Sequence, residues 1–140
     1  MLLLINTCSN QHFTVALAQS DGILVYTKIN KIPFSQAEKL LPLIDTVLKR
    51  NSINLKKITG IIVVTGHGDF TALRIGVSTA NALSYALAVP VVGYQTNQFD
   101  SLEDLAQKGA KEIKQSSSEK LVFPKYGKRP NITKPKRTMK

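Results

Sequence analysis

The run from Ile58 to Thr65 constrains the fold of this chain more than any other segment. It is rich in β-branched residues, and its apolar side chains follow one another without the polar alternation of a half-exposed strand. A strand of this kind is buried on both faces, so other elements must cover the sheet above and below it. The run therefore predicts a layered α/β domain with this strand at the centre of its sheet.

Three further strands are predicted before this segment. Leu2 to Ile5 is a short apolar run that ends at the polar residue Asn6. Two alternating runs follow at residues 12–19 and 23–29, with Asp21-Gly22 between them. An Asp-Gly pair between two β-rich runs is typical of a tight hairpin. The chain is therefore expected to open with three strands, the last two of them antiparallel.

Helical spacing of the apolar residues begins after this hairpin. Ser35 followed three residues later by Glu38 predicts a capping box at the start of the first helix. A second helical pattern runs over 71–88, a short strand follows at 89–94, and a third amphipathic helix is expected over 101–113. The order β-β-β-α-β-α-β-α predicts a mixed sheet flanked by helices.

The positive charge is concentrated in one part of the chain. The 140 residues carry a net charge of +10, and residues 108–140 hold eleven Lys/Arg against two acidic residues. We therefore predict a single domain over 1–113 and a basic, flexible tail over 114–140. Such a tail either solvates the chain or contacts phosphates, and its composition favours neither.

Cysteine content and hydropathy predict the compartment. Cys8 is the one cysteine, so no internal disulfide is possible, which is typical of a reducing environment. No apolar run reaches the length of a membrane span, which is about 18 residues. A cytoplasmic protein without a membrane segment is expected.

The turn between the central strand and the second helix is one candidate site. Gly66 and Gly68 would let the main chain approach a ligand, and a helix N-terminus offers free N–H groups to a phosphate. Asp69, however, places a negative charge where an anion would bind. We therefore favour a purely structural turn in which Asp69 caps the helix, with Gly66 and Gly68 as weak candidates for nucleotide contact.

The second helix carries small residues at a spacing of four, which predicts a surface for close helix packing. The members of this ridge are Ala72, Gly76, Ala80, Ser84 and Ala88. One small sheet is not expected to cover both long helices, so we predict that a partner protein packs here. The predicted contact residues are Leu40, Leu41, Ile44, Leu73, Gly76, Val77 and Ala80.

No group of residues in the sequence indicates catalysis. His12 and His67 are far apart and do not form a metal-binding pair, and Cys8 has no base that the sequence identifies. We therefore predict no catalytic residue, no metal and no cofactor.

Four motifs resemble the TsaB family, also called YeaZ, of bacterial tRNA-modification proteins. The segment from Gly66 to Gly76 is similar to the family stretch Gly-Pro-Gly-Ser-Phe-Thr-Gly-Leu-Arg-Ile-Gly, with His67, Asp69 and Ala72 as the departures. Glu38 to Pro42 resembles the end of the family's His-Ser-Glu-x-Leu-Leu-Pro. Leu3 to Thr7 resembles its opening Ile-Leu-x-Ile-Asp-Thr, with Asn for Asp, and Pro124-x-Tyr126 is similar to a motif near the family's C-terminus.

This resemblance implies an actin-like, sugar-kinase-like (ASKHA, ribonuclease H-like) N-terminal domain without catalysis of its own. Members of the family act as the non-catalytic partner of TsaD, which makes threonylcarbamoyladenosine next to the anticodon, with TsaE as an accessory ATPase. The two long helices are then expected to pack against TsaD or, in its absence, against a second copy as a homodimer. Contact with tRNA would come mainly through the complex. Too few residues follow position 95 for the family's second domain, so a reduced form is expected.

Two alternatives belong to other classes. A nucleic-acid-binding module would bind tRNA directly through the basic tail. A small phosphohydrolase working at the Gly66 turn would hydrolyse nucleotide as an isolated chain, and this is the reading we favour least.

Overall fold

A computed structural model of the chain describes residues 1–125 and contains one five-stranded sheet with three α-helices. The elements are, in chain order, β1 (Leu2–Asn6), β2 (Phe13–Ala18), β3 (Leu24–Asn30), α1 (Gln36–Arg50), β4 (Gly60–Gly66), α2 (Phe70–Leu87), β5 (Val91–Gln95) and α3 (Leu102–Ile113). Short 3-10 turns at Leu55–Lys57 and Thr96–Gln98 lie between them. The predicted α/β class and element order are confirmed.

The strands lie in the order β3-β2-β1-β4-β5. β1 pairs antiparallel with β2, and β2 with β3, whereas β1 with β4 and β4 with β5 are parallel pairs. The predicted hairpin is present, and Gly22 adopts a φ of 91° in its turn, a conformation that favours glycine. Every residue of β4 is buried, as its uninterrupted apolar run predicts.

Two apolar layers cover the sheet. On one face α1 and α2 pack over β2, β1 and β4, around a cluster that includes Ile5, Val15 and Val63. On the other face α3 packs over β4 and β5, and Leu105 fills the space above them. Alternate residues of the central strands therefore belong to different layers.

β3 is an edge strand, and part of its apolar surface is exposed. Ile23, Val25 and Ile29 are all exposed. Ile29 pairs with Thr14 and lies on the side of the sheet where α3 packs, but α3 contacts β4 and β5 at the opposite end of the sheet. No helix within residues 1–125 covers these three side chains.

The predicted capping box at the first helix is wrong. α1 begins at Gln36 after Ser35, but the Ser35 side chain accepts no hydrogen bond from the helix. Its hydroxyl instead donates to the Ile32 carbonyl, at 2.6 Å. The hydroxyl therefore fixes the preceding turn, and α1 continues through Pro42 to Arg50.

The boundary of the domain at residue 113 remains a prediction. Residues 121–125, which were assigned to the tail, lie against the domain, and Val122 packs against the layer formed by α1 and α2. Residues 126–140 lie outside the described part of the chain, and so does the predicted tRNA contact of the tail. None of the helices within residues 1–125 has the length and apolar character that a membrane crossing requires.

Candidate protein interface

The ridge of small residues in α2 lies inside the protein except for Ala88, which is exposed just after the helix, and this corrects the prediction that the ridge is open to a partner. Ala72, Gly76, Ala80 and Ser84 are buried in the chain's own interior. The Thr7 hydroxyl at the end of β1 donates to the Ala72 carbonyl at 2.7 Å, and a side chain at Gly76 would overlap that hydroxyl. The small residues let α2 approach the chain's own sheet closely, so the ridge explains internal packing.

Most of the predicted contact residues are buried in the same way. Six of them have almost no exposed surface: Leu40, Ile44, Leu73, Gly76, Val77 and Ala80. Leu41 is the exception, because 57% of its surface is exposed on α1. The helical spacing of apolar residues in the sequence identified the face that packs on the sheet. A helix that packs on a partner protein would show the same spacing. Whether these residues contact a partner remains a prediction.

The outward side of the helix pair is here called the α1/α2 face. Its apolar part is a groove of about 390 Å³ in which Leu41 and Leu55 are exposed. The groove is lined by Leu41, Ile44, Asp45, Leu48, Lys49, Ile53, Asn54, Leu55 and Leu83. Asp45 and Lys49 form an exposed ion pair at 2.9 Å along this groove. The face thus has an apolar centre and a charged margin, which is the usual composition of a protein interface.

A second depression lies nearer the start of both helices. It is lined by Ala37 of α1 and by Thr71, Arg74, Ile75, Ser78 and Thr79 of α2. The Arg74 guanidinium lies 5.4 Å from the centre of the Phe70 ring, a cation–π arrangement that holds the arginine over the helix start. Arg74 is the one charged residue that lines this depression, among small, hydroxyl and apolar side chains.

The turn after β4 is closely packed by the chain itself. Gly66 lies against the Lys125 carbonyl, and Gly68 lies against the main chain of Cys8. Asp69 caps α2, since its side chain accepts from the Ala72 N–H at 3.1 Å. The close approach of main chain accounts for both glycines without a ligand, in agreement with the structural reading of this turn.

The candidate reactive side chains are not brought together. His12 and His67 are exposed, and residues 1–125 contain no group of three His, Cys, Asp or Glu that could hold a metal ion. Burial raises the pKa of the Cys8 thiol to about 11, because the apolar surroundings disfavour the thiolate. Cys8 is therefore protonated at neutral pH and is a poor nucleophile.

One contact was missed by reasoning from the sequence. The Asn81 amide, on the side of α2 towards β5, holds the main chain of Val122 through two hydrogen bonds. An asparagine within a helix does not indicate a distant partner. The separation of Asn81 and Val122 in the sequence also matches no helical or strand periodicity. The one hint in the sequence was the motif Pro124-x-Tyr126, whose first residue lies in this segment.

The fold and the α1/α2 face define an α/β protein of the actin-like class. Within residues 1–125, its most distinctive surface is a helix pair with an exposed apolar groove. The comparison with known proteins agrees with this class. The model of the family described as "TsaD: tRNA N6-adenosine threonylcarbamoyltransferase" matches residues 35–110, which is more than half of the chain.

The similar proteins include TsaB proteins. The chain is 31% identical over 127 residues to the tRNA threonylcarbamoyladenosine biosynthesis protein TsaB of Buchnera aphidicola subsp. Schizaphis graminum, which covers 91% of this chain and 57% of that protein. It is 27% identical over 109 residues to TsaB of Bacillus subtilis, covering 78% and 45%. The structure of YeaZ from Pseudomonas aeruginosa superimposes with a TM-score of 0.61 at 29% identity, covering 67% of this chain and 43% of that one.

The chain therefore belongs to the TsaD family, and within it to the TsaB (YeaZ) group. It spans about half the length of these relatives. The five-stranded mixed sheet with its flanking helices is the fold of that group.

Proposed function

We propose that this chain is a non-catalytic subunit for threonylcarbamoyladenosine modification of tRNA, and that it binds and activates a TsaD-like enzyme through the α1/α2 face. The relatives are named as biosynthesis proteins of this modified nucleoside, which supports the pathway. The protonated thiol and the separated histidines support a role other than catalysis.

The exposed side chain of Leu41 is the observation that carries the proposal. A leucine with 57% of its surface in water, beside a groove lined mainly by apolar residues, costs free energy that a partner would recover. The adjoining helix α2 continues this surface with Ile75 and Leu83, both half-buried. A partner that presents its own apolar helix pair would bury all of these side chains together.

Helix pairing also suggests how activation would occur. The TsaD family model matches residues 35–110, which contain α1 and α2, so a TsaD-like enzyme would have a corresponding pair of helices. Contact there would restrain those helices. Restraint of elements next to an active site stabilises the geometry that catalysis requires. The proposed partners also include a TsaE-like ATPase, and a second copy of this chain would occupy the same face when the enzyme is absent.

Substitution of Leu41 by aspartate tests the proposal. A carboxylate at the centre of the interface would be buried without a partner, so Leu41→Asp should weaken binding of a TsaD-like subunit by about 2 kcal/mol or more. That corresponds to roughly a thirtyfold higher Kd. Stability should change by less than about 0.5 kcal/mol, because the side chain is exposed. Size-exclusion chromatography with light scattering measures complex formation, and calorimetric titration measures the Kd.

Ile29→Asp is the matched control. Ile29 is also an exposed aliphatic residue, but it lies on β3, on the face of the sheet opposite α1 and α2. The control should bind as the wild type does. Normal binding by Leu41→Asp, or an equal loss in both variants, would contradict the proposed face.

A further inference from the structure

Residues 121–125, here called the strap, lie against β4 and β5, with contacts at Thr65, Gly66 and Gly93. The Val122 side chain turns inward and packs against the apolar layer under α2, while Leu121 and Phe123 on either side of it are exposed. On this face of the sheet α1 and α2 lie over β2, β1 and β4, so the strap covers the neighbouring part of β5. The strap thus fills a groove between α2 and β5.

The Asn81 amide recognises the main chain of the strap. Its Nδ2 donates to the Val122 carbonyl at 2.9 Å, and its Oδ1 accepts from the Val122 N–H at 3.1 Å. Both polar groups of one peptide residue are therefore satisfied by a single side chain, as they would be by a neighbouring strand. This pairing does not depend on the identity of the side chain at position 122.

The far end of the strap is attached to β4. The Lys125 N–H donates to the Thr65 carbonyl at 2.5 Å, and the Lys125 carbonyl lies against Gly66. Gly93 of β5 leaves space for the strap, because a Cβ atom there would come within 3.3 Å of the Val122 side chain and 2.5 Å of the Thr65 side chain. Two glycines and one main-chain hydrogen bond therefore complete the groove that Asn81 begins.

We propose that the groove formed by Thr65, Gly66, Asn81 and Gly93 is a binding site for an extended main chain, and that its occupant is the strap. The role of the bound strap is to anchor the residues that follow it in the chain. The sequence of residues 126–140 has six Lys/Arg and no acidic residue. Because Lys125 lies against Gly66, the last described residue of the strap is beside the turn that leads into α2. This anchoring does not depend on which partner binds the α1/α2 face.

Amide hydrogen exchange of the full chain, resolved by residue, tests the proposal. The Val122 and Lys125 amides should exchange at least about tenfold more slowly than the Phe123 amide, which has no hydrogen-bond partner within residues 1–125. Asn81→Ala should raise the Val122 exchange rate by about tenfold or more and expose the Lys120–Leu121 bond to trypsin. Asn81→Asp should act in the same direction, because it loses the donor to the Val122 carbonyl.

Two further variants keep the outcome decisive. Asn97→Ala, an exposed asparagine between β5 and α3, should leave the Val122 amide unchanged. Val122→Asp alters only the strap, and it should release the Lys125 amide as well, since the strap binds as a unit. Exchange of Val122 at the rate of an unfolded peptide in the wild type, or no effect of either Asn81 variant, would overturn the proposal.

Discussion

At the scale of single residues, the clearest contrast is between Gly76 and Leu41. Both were expected to contact a partner, but Gly76 lies against Thr7 in the interior while Leu41 is exposed. A small residue on a helix permits close approach by any neighbour, and here the neighbour is the chain's own β1. The sequence shows which residues permit contact, whereas the identity of the contacting element depends on the tertiary structure.

Gly76→Ala is expected to destabilise the domain. Alanine favours the helix by about 1 kcal/mol over glycine, but its Cβ would overlap the buried Thr7 hydroxyl and disturb the bond to Ala72. Overpacking of this kind costs about 1–3 kcal/mol, so we expect a net loss measurable by urea unfolding. Ser78→Ala, on the exposed side of α2, is the control. A more stable Gly76→Ala protein would show that α2 does not pack on Thr7.

At the scale of elements, the positions at which α2 and α3 begin follow from the local sequence. Asp69 and Ser101 each accept a hydrogen bond from a main-chain N–H of the first turn, as residues of these types usually do before a helix. The same rule failed for Ser35, whose hydroxyl is directed to the Ile32 carbonyl of the preceding turn and accepts no hydrogen bond from the helix. Caps are therefore predictable where the side chain has one local partner, and less so where a preceding turn offers another.

Asp69 variants separate the cap from a general effect of charge. Asp69→Ala should cost about 1–2 kcal/mol, because the Ala72 N–H loses its acceptor. Asp69→Asn keeps an acceptor oxygen and should restore most of that loss, as read from thermal unfolding by circular dichroism. If asparagine and alanine destabilise the protein equally, the carboxylate acts through the helix dipole and not through a cap.

At the scale of the whole molecule, the fold was predictable and the site only partly so. Periodicity identified the eight main elements and the complete burial of β4, because local patterns report burial directly. The middle strand of the sheet is β1, however, and β4 lies between it and the edge strand β5. The exposed groove beside Leu41 and the Asn81 contact depend on the relative placement of distant segments. Such placement leaves no period in the sequence, which is why the outward face of the helices was not distinguished from the inward one.

The link between α3 and the strap should tolerate insertion. Only residues 114–120 connect Ile113 to Leu121, and the strap is held by its own contacts at both ends. A flexible Gly/Ser insertion of about ten residues after Ser117 should weaken the strap by about 1 kcal/mol through loop entropy alone. Hydrogen exchange at Val122 should then rise by roughly fivefold. Complete loss of protection would show that the short link, and not the groove, holds the strap.

The edge strand β3, whose outer side pairs with no other strand of residues 1–125, affects how molecules of this chain meet in solution. A row of unpaired main-chain groups flanked by Val25 and Ile29 is a template on which another chain could polymerise. Lys28 lies within this strand and Lys31 just beyond it, and two such edges in antiparallel register would bring like ammonium groups together. Repulsion between those groups opposes edge-to-edge pairing, so we expect Lys28 and Lys31 to limit aggregation although they contribute nothing to the core.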